Sequence, residues 1–416
     1  MIRNRMTHSA RGWHEKTLFA LLSILALTLP FDGYNVIGLG SLFRIIAPFV
    51  LFIFVLFLLM NPSLHKRFVD KLFSTIGVGL LLFVIWSGVT CLWAPNKDWA
   101  LSRFFTYLGL LGITFSVSVL PLDRVAGLWL AMFLGVLISL PMGFIVPHPN
   151  PLVELANRFS SGGKDPNDYA NLVLIVLFVC IFGVLSYVRE ISKRSIFLLG
   201  SLALMAIPLS GSRTALLNLS SLTAFASVGR DLRSKRTVFT IAVIVIAFFF
   251  ILREAGPLST FFDTFAKRSA SLIHIRDENT LSRRADLWIT AWHVFIQNPI
   301  GGVGLNNFAW VSPQYSSTAA LIASLREGGK GGVAHNSFLS VLAETGIVGF
   351  VLFVSLQLML FFSLHRRRHN PLAKGFLIGL IGYWIASLTL TWEYVKIPFF
   401  LYGSVLALAR EVPAGR

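Results

Sequence analysis

The chain has 416 residues, of which 55% are hydrophobic and only 13% are charged. Soluble domains average about 25% charged residues, so this composition excludes an ordinary cytoplasmic enzyme. The 37 phenylalanines and 10 tryptophans exclude a disordered chain as well, because they would collapse in water. The composition predicts an all-α polytopic membrane protein. The two cysteines fall in or beside apolar segments and indicate neither a disulfide framework nor a metal site.

Twelve apolar runs are candidates to cross the roughly 30 Å of hydrocarbon in a bilayer. The seventh and eighth are short, and only Gly211 and Ser212 separate them, which predicts a tight hairpin or a broken re-entrant pair. Basic residues precede the first run as in a signal peptide, but no small-residue cleavage site follows it, so we expect it to be retained. The runs are 17–36, 37–60, 72–93, 99–119, 125–146, 168–188, 195–210, 213–228, 237–252, 336–364, 375–391 and 395–410.

The basic residues of the short loops alternate in number along the chain. Loops on the side of the N-terminus carry most of them, which predicts that both termini lie in the cytoplasm. The net charge of +17 is therefore mainly a topology signal, and we expect no nucleic-acid binding.

One loop on the outer side, 253–334, is far longer than the usual connection. It predicts three units: a transmembrane bundle over 1–252 with spans one to nine, a periplasmic catalytic loop over 253–334, and spans ten to twelve over 335–416. Chemistry is expected in this loop because loops of such length are usually functional or disordered.

Within the long loop, residues 284–297 are predicted to form a helix that ends at Asn298-Pro299. Trp288, Trp292 and Phe295 recur at positions i, i+4 and i+7, so this helix is expected to lie on the bilayer surface or to cap the bundle. The glycines at 301, 302 and 304 are expected to form the turn that follows.

His335 stands where the long loop re-enters the membrane. It is a candidate general base at the outer mouth of the bundle. The alternative is a histidine at a helix end, with Asn336 or Ser337 capping the tenth span. Glu344 lies about 13 Å further along the helix and on roughly the opposite face, so a buried structural role is expected for it.

Arg213 lies at the outer end of a short span, where a guanidinium can reach the interface or bind a phosphate. Arg283 and Arg284 stand at the predicted start of the loop helix, where a cation opposes the helix dipole. Two arginines there indicate an anionic partner, with a salt bridge to Asp286 or Asp277 as the alternative.

Arg44 and Arg103 lie inside apolar runs, near their predicted outer ends, and are further candidates for the same anion. Structural ion pairs are an equal alternative for both. Residues 328–332 (GGKGG) lack the Ser or Thr and the preceding strand of a phosphate loop. The outer loops show neither histidine spacing for metal ligands nor a paired-aspartate cluster, which disfavours a metal-dependent mechanism.

Four segments together resemble the O-antigen ligase/polymerase family of bacterial membrane glycosyltransferases, and the resemblance is best over about 160–350. They are 163–170 (GKDPNDYA), 211–215 (GSRTA), 282–288 (SRRADLW) continuing to 299–308 (PIGGVGLNNF), and 335–339 (HNSFL) with 344–346 (ETG). The resemblance implies a GT-C-like, metal-independent enzyme of the bacterial inner membrane that requires no cofactor. Its donor would be a glycan linked to undecaprenyl diphosphate.

The resemblance also implies roles for individual residues. Arg213 and Arg284 would correspond to the essential arginines of the family, and His335 to its essential histidine. Arg283 is then an additional arginine directly before Arg284. Asp168 and Asn336, in the matching segments, are candidate substrate-binding residues together with Arg283, Arg44 and Arg103.

The leading functional prediction is an inverting transfer of O-antigen onto a lipid A–core hydroxyl at the periplasmic face. A polymerase that joins repeat units of O-antigen or exopolysaccharide is the first alternative. A flippase or transporter of lipid-linked glycans is the second. Transporters tend to show inverted repeats and polar residues at the midplane of the membrane; here we see no repeat, and the polar groups cluster at one face.

Overall fold

The computed structural model describes the backbone of residues 2–34, 38, 40–145, 158–161, 164–188, 200–227, 279–325 and 331–409, and their side chains except those of 2–11, 226–227 and 279–283. All the regular secondary structure in these ranges is helical, which confirms the all-α prediction. The predicted ninth span, 237–252, and the predicted domain boundary at 252 lie outside the described residues.

We number the described helices in chain order. The bounds are α1 Ile2–Thr28, α2 Leu42–Met60, α3 Pro62–Leu72, α4 Thr75–Val89, α5 Lys97–Ser118, α6 Leu122–Ile145, α7 Pro166–Val179, α8 Gly200–Ser210, α9 Arg213–Ser227, α10 Asn279–Gln297, α11 Phe308–Val311, α12 Ser317–Ser324, α13 Ser337–Arg366, α14 Pro371–Ser387 and α15 Lys396–Leu408. A π-helical segment, Cys180–Val184, continues α7 to Tyr187.

The helices confirm a multi-pass membrane protein. Seven of the described segments are long and apolar enough to cross a membrane: Gly12–Phe31, Leu42–Met60, Thr75–Leu92, Lys97–Ser118, Leu122–Ile145, Pro166–Tyr187 and Ser337–Arg366. Three others, α8, α14 and α15, are apolar but shorter, and α9 has 15 residues where a span needs about 20. The total of twelve spans stays a prediction.

Paired helices make the bundle. α15 packs along α5, α14 along α7, α13 along α4, and α1 along α6. The α7 segment is the most enclosed, with 89% of its apolar window buried inside the protein. α2 is at the other extreme with 22%, so most of its apolar surface faces outward.

Polar side chains collect at one end of the bundle. The first turns of α7, α9 and α13 meet there with the loop 388–395 between α14 and α15; we call this region the polar end. Asp165 accepts a hydrogen bond from the Asn167 N–H (2.8 Å) and so caps α7. The polar end is where the residues selected from the sequence are found.

Candidate functional site

The loop 388–395 joins the starts of two helices that are distant in sequence. The Ser337 hydroxyl donates to the Leu390 carbonyl (3.0 Å) and accepts from the Trp392 N–H (2.7 Å). The Trp392 indole N–H donates in turn to Asp168 Oδ1 (2.7 Å). These bonds fix the start of α13 beside the first turn of α7 and orient the Asp168 carboxylate.

His335 lies immediately before α13 and is half-buried. Asn336 is the helix cap, because its Oδ1 accepts from the N–H groups of Phe338 (2.9 Å) and Leu339 (3.0 Å). His335 has a positive φ of 50°; the only other described non-glycine residue with a positive φ is Asn306. Positive φ is uncommon outside glycine and is enriched at functional sites, so the backbone supports a functional hypothesis for this histidine.

Arg213 is the first residue of α9, directly after an elbow at Gly211, whose φ is +57°. The hydroxyl groups of its two neighbours, Ser212 and Thr214, lie 3.1 Å apart. Asn171 of α7 donates to the Thr214 hydroxyl at 3.0 Å. The start of α9 is therefore held against the second turn of α7, within one turn of Asp168.

Arg158 belongs to the same corner of the site, although the sequence analysis did not select it. Its guanidinium is almost fully buried and donates from Nε to the Ser210 carbonyl (2.7 Å) and from Nη2 to Asn167 Oδ1 (2.9 Å). It therefore braces the elbow before Arg213 against the start of α7. No local pattern in its Pro-, Gly- and Asn-rich segment marks it, and its partner Ser210 is 52 residues away in the sequence.

Arg284 lies in the second turn of α10, not at its start. The helix begins at Asn279, so the predicted start at residue 284 was wrong, and so was the argument from the helix dipole, which acts mainly within the first turn. The guanidinium of Arg284 is near enough to Asp168 to interact with its carboxylate electrostatically. The side chain of Arg283, like all of Asp277, lies outside the described residues.

The predicted end of α10 at Gln297 is confirmed, but the buried face of the helix is offset by one residue from the aromatic stripe. Leu287, Ala291 and Val294 are buried, and the helix packs on α13, whereas the Trp292 side chain is 49% exposed. A small apolar core of the long loop lies beneath it and contains Ala291, Val294, Val303, Phe308, Val311, Ala334 and Ala343.

The glycine-rich turn after α10 docks along α13. The N–H of Val303 donates to the Ala343 carbonyl (3.0 Å), and the N–H of Ile347 donates to the Pro299 carbonyl (2.8 Å). Gly346 makes this contact possible with φ +65° and ψ −169°, which interrupts the helical backbone of α13. Since α13 begins just after His335, the docked turn fixes the distance between α10 and that histidine.

Glu344 has the structural role expected for it. Its carboxylate accepts from the backbone N–H groups of Asn306 (2.7 Å) and Phe308 (3.3 Å), and so holds the turn from the side. Asn306 then accepts a hydrogen bond from Arg103 Nη2 (3.0 Å), and the Arg103 guanidinium stacks over the Tyr394 ring at 3.2 Å from its centroid. Arg103 is thus fixed by an amide and an aromatic ring.

The carboxylate of Asp32 holds two lysines near the loop 388–395. Asp32 lies between the ammonium groups of Lys164 (3.7 Å) and Lys396, and accepts from the Ser41 hydroxyl (2.6 Å). Burial alone would raise the pKa of Asp32, but the two ammonium groups outweigh it and lower the pKa below its ordinary value. Asp32 therefore stays ionised and ties α15 to the turn after α1.

Two comparisons with known proteins bear on this site. Residues 196–354 match the protein-family model described as O-antigen ligase. The resemblance to the O-antigen ligase family is confirmed. The teichuronic acid biosynthesis protein TuaE of Bacillus subtilis (strain 168) is 23% identical over 417 residues, covering 90% of this chain and 80% of that protein.

The O-antigen ligase match covers the segments with Arg213, Arg284 and His335, and also the docking contact between the glycine-rich turn and α13. Arg44, Arg103, Asp168 and Lys396 lie outside it. Both similarities point to polysaccharide biosynthesis at a membrane.

Proposed function

We propose that the chain is a metal-independent glycosyltransferase that moves a glycan from undecaprenyl diphosphate to an acceptor hydroxyl on a second membrane lipid. The acceptor in the leading form of the proposal is the lipid A–core oligosaccharide. The observation that carries the proposal is the meeting of three segments at the polar end. Asp168 accepts a hydrogen bond from Trp392 in the loop that holds the start of α13, and it interacts electrostatically with Arg284 of α10. It also lies within one helical turn of Asn171, which bonds to Thr214 at the start of α9.

The two arginines would bind the diphosphate. A guanidinium donates two parallel hydrogen bonds to phosphate oxygens, and its charge matches the charge that grows on the diphosphate as the glycosidic bond breaks. Preorganised donors of this kind are worth about 3 kcal/mol each in the transition state. Asp168, oriented by the Trp392 indole, would position Arg284 for this contact.

His335 would act as the general base. The acceptor hydroxyl oxygen attacks the anomeric carbon, the bond from that carbon to the diphosphate oxygen breaks, and the hydroxyl proton passes to the imidazole. Such proton transfer contributes roughly 10²- to 10⁴-fold to the rate. A single direct attack inverts the anomeric configuration.

The charge pattern of the loops supports the proposed topology. In this proposal the protein lies in the bacterial inner membrane with both termini in the cytoplasm, so the polar end faces the periplasm. The donor carries its own free energy as a diphosphate ester, so the reaction needs no nucleotide on that side of the membrane.

Reconstitution tests the proposal. Purified protein in liposomes, supplied with polyprenyl-diphosphate-linked glycan and lipid A–core in the presence of a chelator, should form the glycan–lipid product without ATP or an ion gradient. Movement of the donor across the bilayer without any new glycosidic bond would show a flippase and contradict the proposal.

A repeat-unit polymerase is the second candidate, and one observation favours it. The relative that matches over 90% of the chain is named for teichuronic acid biosynthesis, so similarity of this kind is not confined to O-antigen transfer. The two candidates share the donor and differ in acceptor. Supplying the donor alone separates them, because a polymerase lengthens the glycan on undecaprenyl diphosphate and a ligase does not.

A further inference from the structure

A lateral groove of about 450 Å³ lies between α2 and α5 at the polar end. Its wall along the two helices is apolar and includes Ala47, Pro48 and Leu51 from α2 and Leu110 and Ile113 from α5. The groove opens on the outside of the bundle, since Phe105 on its edge has 66% of its side chain exposed. The membrane therefore has direct access to it.

Cations gather at the polar end of this groove. Arg44 comes from the first turn of α2, Arg103 from the second turn of α5, and Lys396 from the start of α15. Of the described residues that line the groove, these three are cationic and none is acidic. Lys396 is ion-paired with Asp32, but Asp32 is shared with Lys164, so the region keeps a net positive charge.

An apolar channel that ends in guanidinium and ammonium groups matches a lipid with a phosphate at its head. Arginine binds phosphate oxygens in a bidentate manner, and Arg103 is already oriented for this by Asn306 and Tyr394. The acyl or isoprenoid chain of the lipid would lie along the wall formed by α2 and α5, where it buries apolar surface.

A second cavity, with room for little more than a water molecule, shares lining residues with this groove. Arg103, Asn306 and Tyr394 line both spaces, and the smaller one is also lined by Ala334, the residue directly before His335. The cations at the end of the groove are therefore separated from the residue before His335 by one small cavity. The substrate that must reach a general base is the acceptor.

We infer that the α2/α5 groove binds the lipid-anchored acceptor, through a phosphate at Arg44, Arg103 and Lys396 and a hydrocarbon chain along the apolar wall. This inference rests on the proposed function, in which two lipid-borne substrates meet. The donor diphosphate is assigned to Arg213 and Arg284, on α9 and α10, so the acceptor needs cations and a membrane opening of its own. The groove supplies both.

Gly109 offers a way to fill the groove without disturbing the fold. It lines the groove in the middle of α5, and a Cβ added there would meet no atom within 4 Å. Gly109→Phe therefore places a ring in the space assigned to the chain. Leu108→Phe is the matched control, because Leu108 is the adjacent, half-exposed residue of the same helix and is not among the lining residues.

The test measures transfer by the reconstituted protein while each substrate is varied. Gly109→Phe and Arg44→Gln should raise the KM for the acceptor about tenfold, equivalent to ~1.4 kcal/mol, and leave the KM for the donor unchanged. Leu108→Phe should change neither. A rise in the KM for the donor instead would assign the groove to the donor. Unchanged KM values in both groove variants would mean that the groove holds only bulk lipid. Either result would overturn the inference.

A second measurement keeps the groove separate from the proposed function. A lipid A analogue with a diazirine in one acyl chain should crosslink to α2 and α5 in the wild type and in Leu108→Phe, and much less in Gly109→Phe. Crosslinking without any glycan transfer would contradict the proposed function while leaving a lipid-phosphate groove. Equal crosslinking in all three proteins would overturn the groove itself.

Discussion

Gly346→Ala perturbs the contact between α13 and the glycine-rich turn that follows α10. Gly346 has φ +65° and ψ −169°, a conformation that is essentially restricted to glycine. A Cβ there would lie 2.1 Å from the Ile300 carbonyl oxygen, so the substitution cannot be accepted without moving the backbone of the docked turn.

The expected cost follows from two contributions. Forcing a non-glycine residue into this region of φ and ψ costs about 1–3 kcal/mol. Moving the turn away breaks at least the bond from the Ile347 N–H to the Pro299 carbonyl, which is worth about 1 kcal/mol net. The docked geometry should therefore be destabilised by about 2–4 kcal/mol relative to the opened one.

Hydrogen exchange of the purified protein measures this change. The amides of Val303, Gly304 and Ile347 are hydrogen-bonded across the docking contact and should exchange about 30- to 900-fold faster in Gly346→Ala. The core of α7 should not change. Glycan transfer should fall as well, because α10 carries Arg284 and α13 follows His335.

Gly12→Ala is the matched control, because a Cβ at Gly12 in α1 meets no atom within 4 Å. It should leave both exchange and transfer as in the wild type. Unchanged exchange at Val303, Gly304 and Ile347 in Gly346→Ala would refute the reasoning that this glycine permits the docking.

Three further substitutions test other parts of the account. His335→Asn retains a residue that tolerates the left-handed backbone but removes the base, so transfer should fall about 10²- to 10⁴-fold at unchanged thermal stability. Arg284→Lys should lower the turnover rate far more than Arg283→Lys, since a point charge replaces the bidentate fork only at the position that binds the diphosphate. Burial raises the pKa of Glu393, so the folded state holds its proton longer than the unfolded state, and stability should fall as the pH rises above about 4.3. In Glu393→Gln, thermal unfolding followed across this pH range should show a smaller fall.

Each of these substitutions has a contradicting result. Normal turnover by His335→Asn would remove the histidine from the mechanism, and equal losses in the two arginine variants would show that the assignment of Arg284 over Arg283 is wrong. A pH profile for Glu393→Gln that matches the wild type would mean that this carboxyl does not cause the loss of stability with rising pH.

The local parts of the fold were accessible from the sequence. Apolar runs revealed the long helices because a span needs a continuous stretch of about 20 residues. The Asn-Pro pair after Gln297 marked the end of α10, and Asn336 was one of the two residues expected to cap α13. The start of α10 was missed because its first five residues, 279–283, are polar apart from Leu281.

The parts that the sequence did not reveal are contacts between distant segments. The sequence marked Arg103 as a candidate to bind an anion or to form an ion pair, and that stays a prediction. It did not reveal the contacts of Arg103 with Asn306 and Tyr394, residues that follow it by more than 200 positions. The bond between Trp392 and Asp168 spans a similar distance. No helical periodicity encodes such pairs, because they depend on how the helices pack.

The most direct test of the central claim is a structure of the protein with an undecaprenyl-diphosphate donor analogue bound. The account predicts that Arg213 and Arg284 both donate to phosphate oxygens at about 2.7–2.9 Å, with the His335 imidazole facing the same cavity. A diphosphate bound elsewhere, or an imidazole directed towards lipid or towards the other end of the bundle, would contradict it.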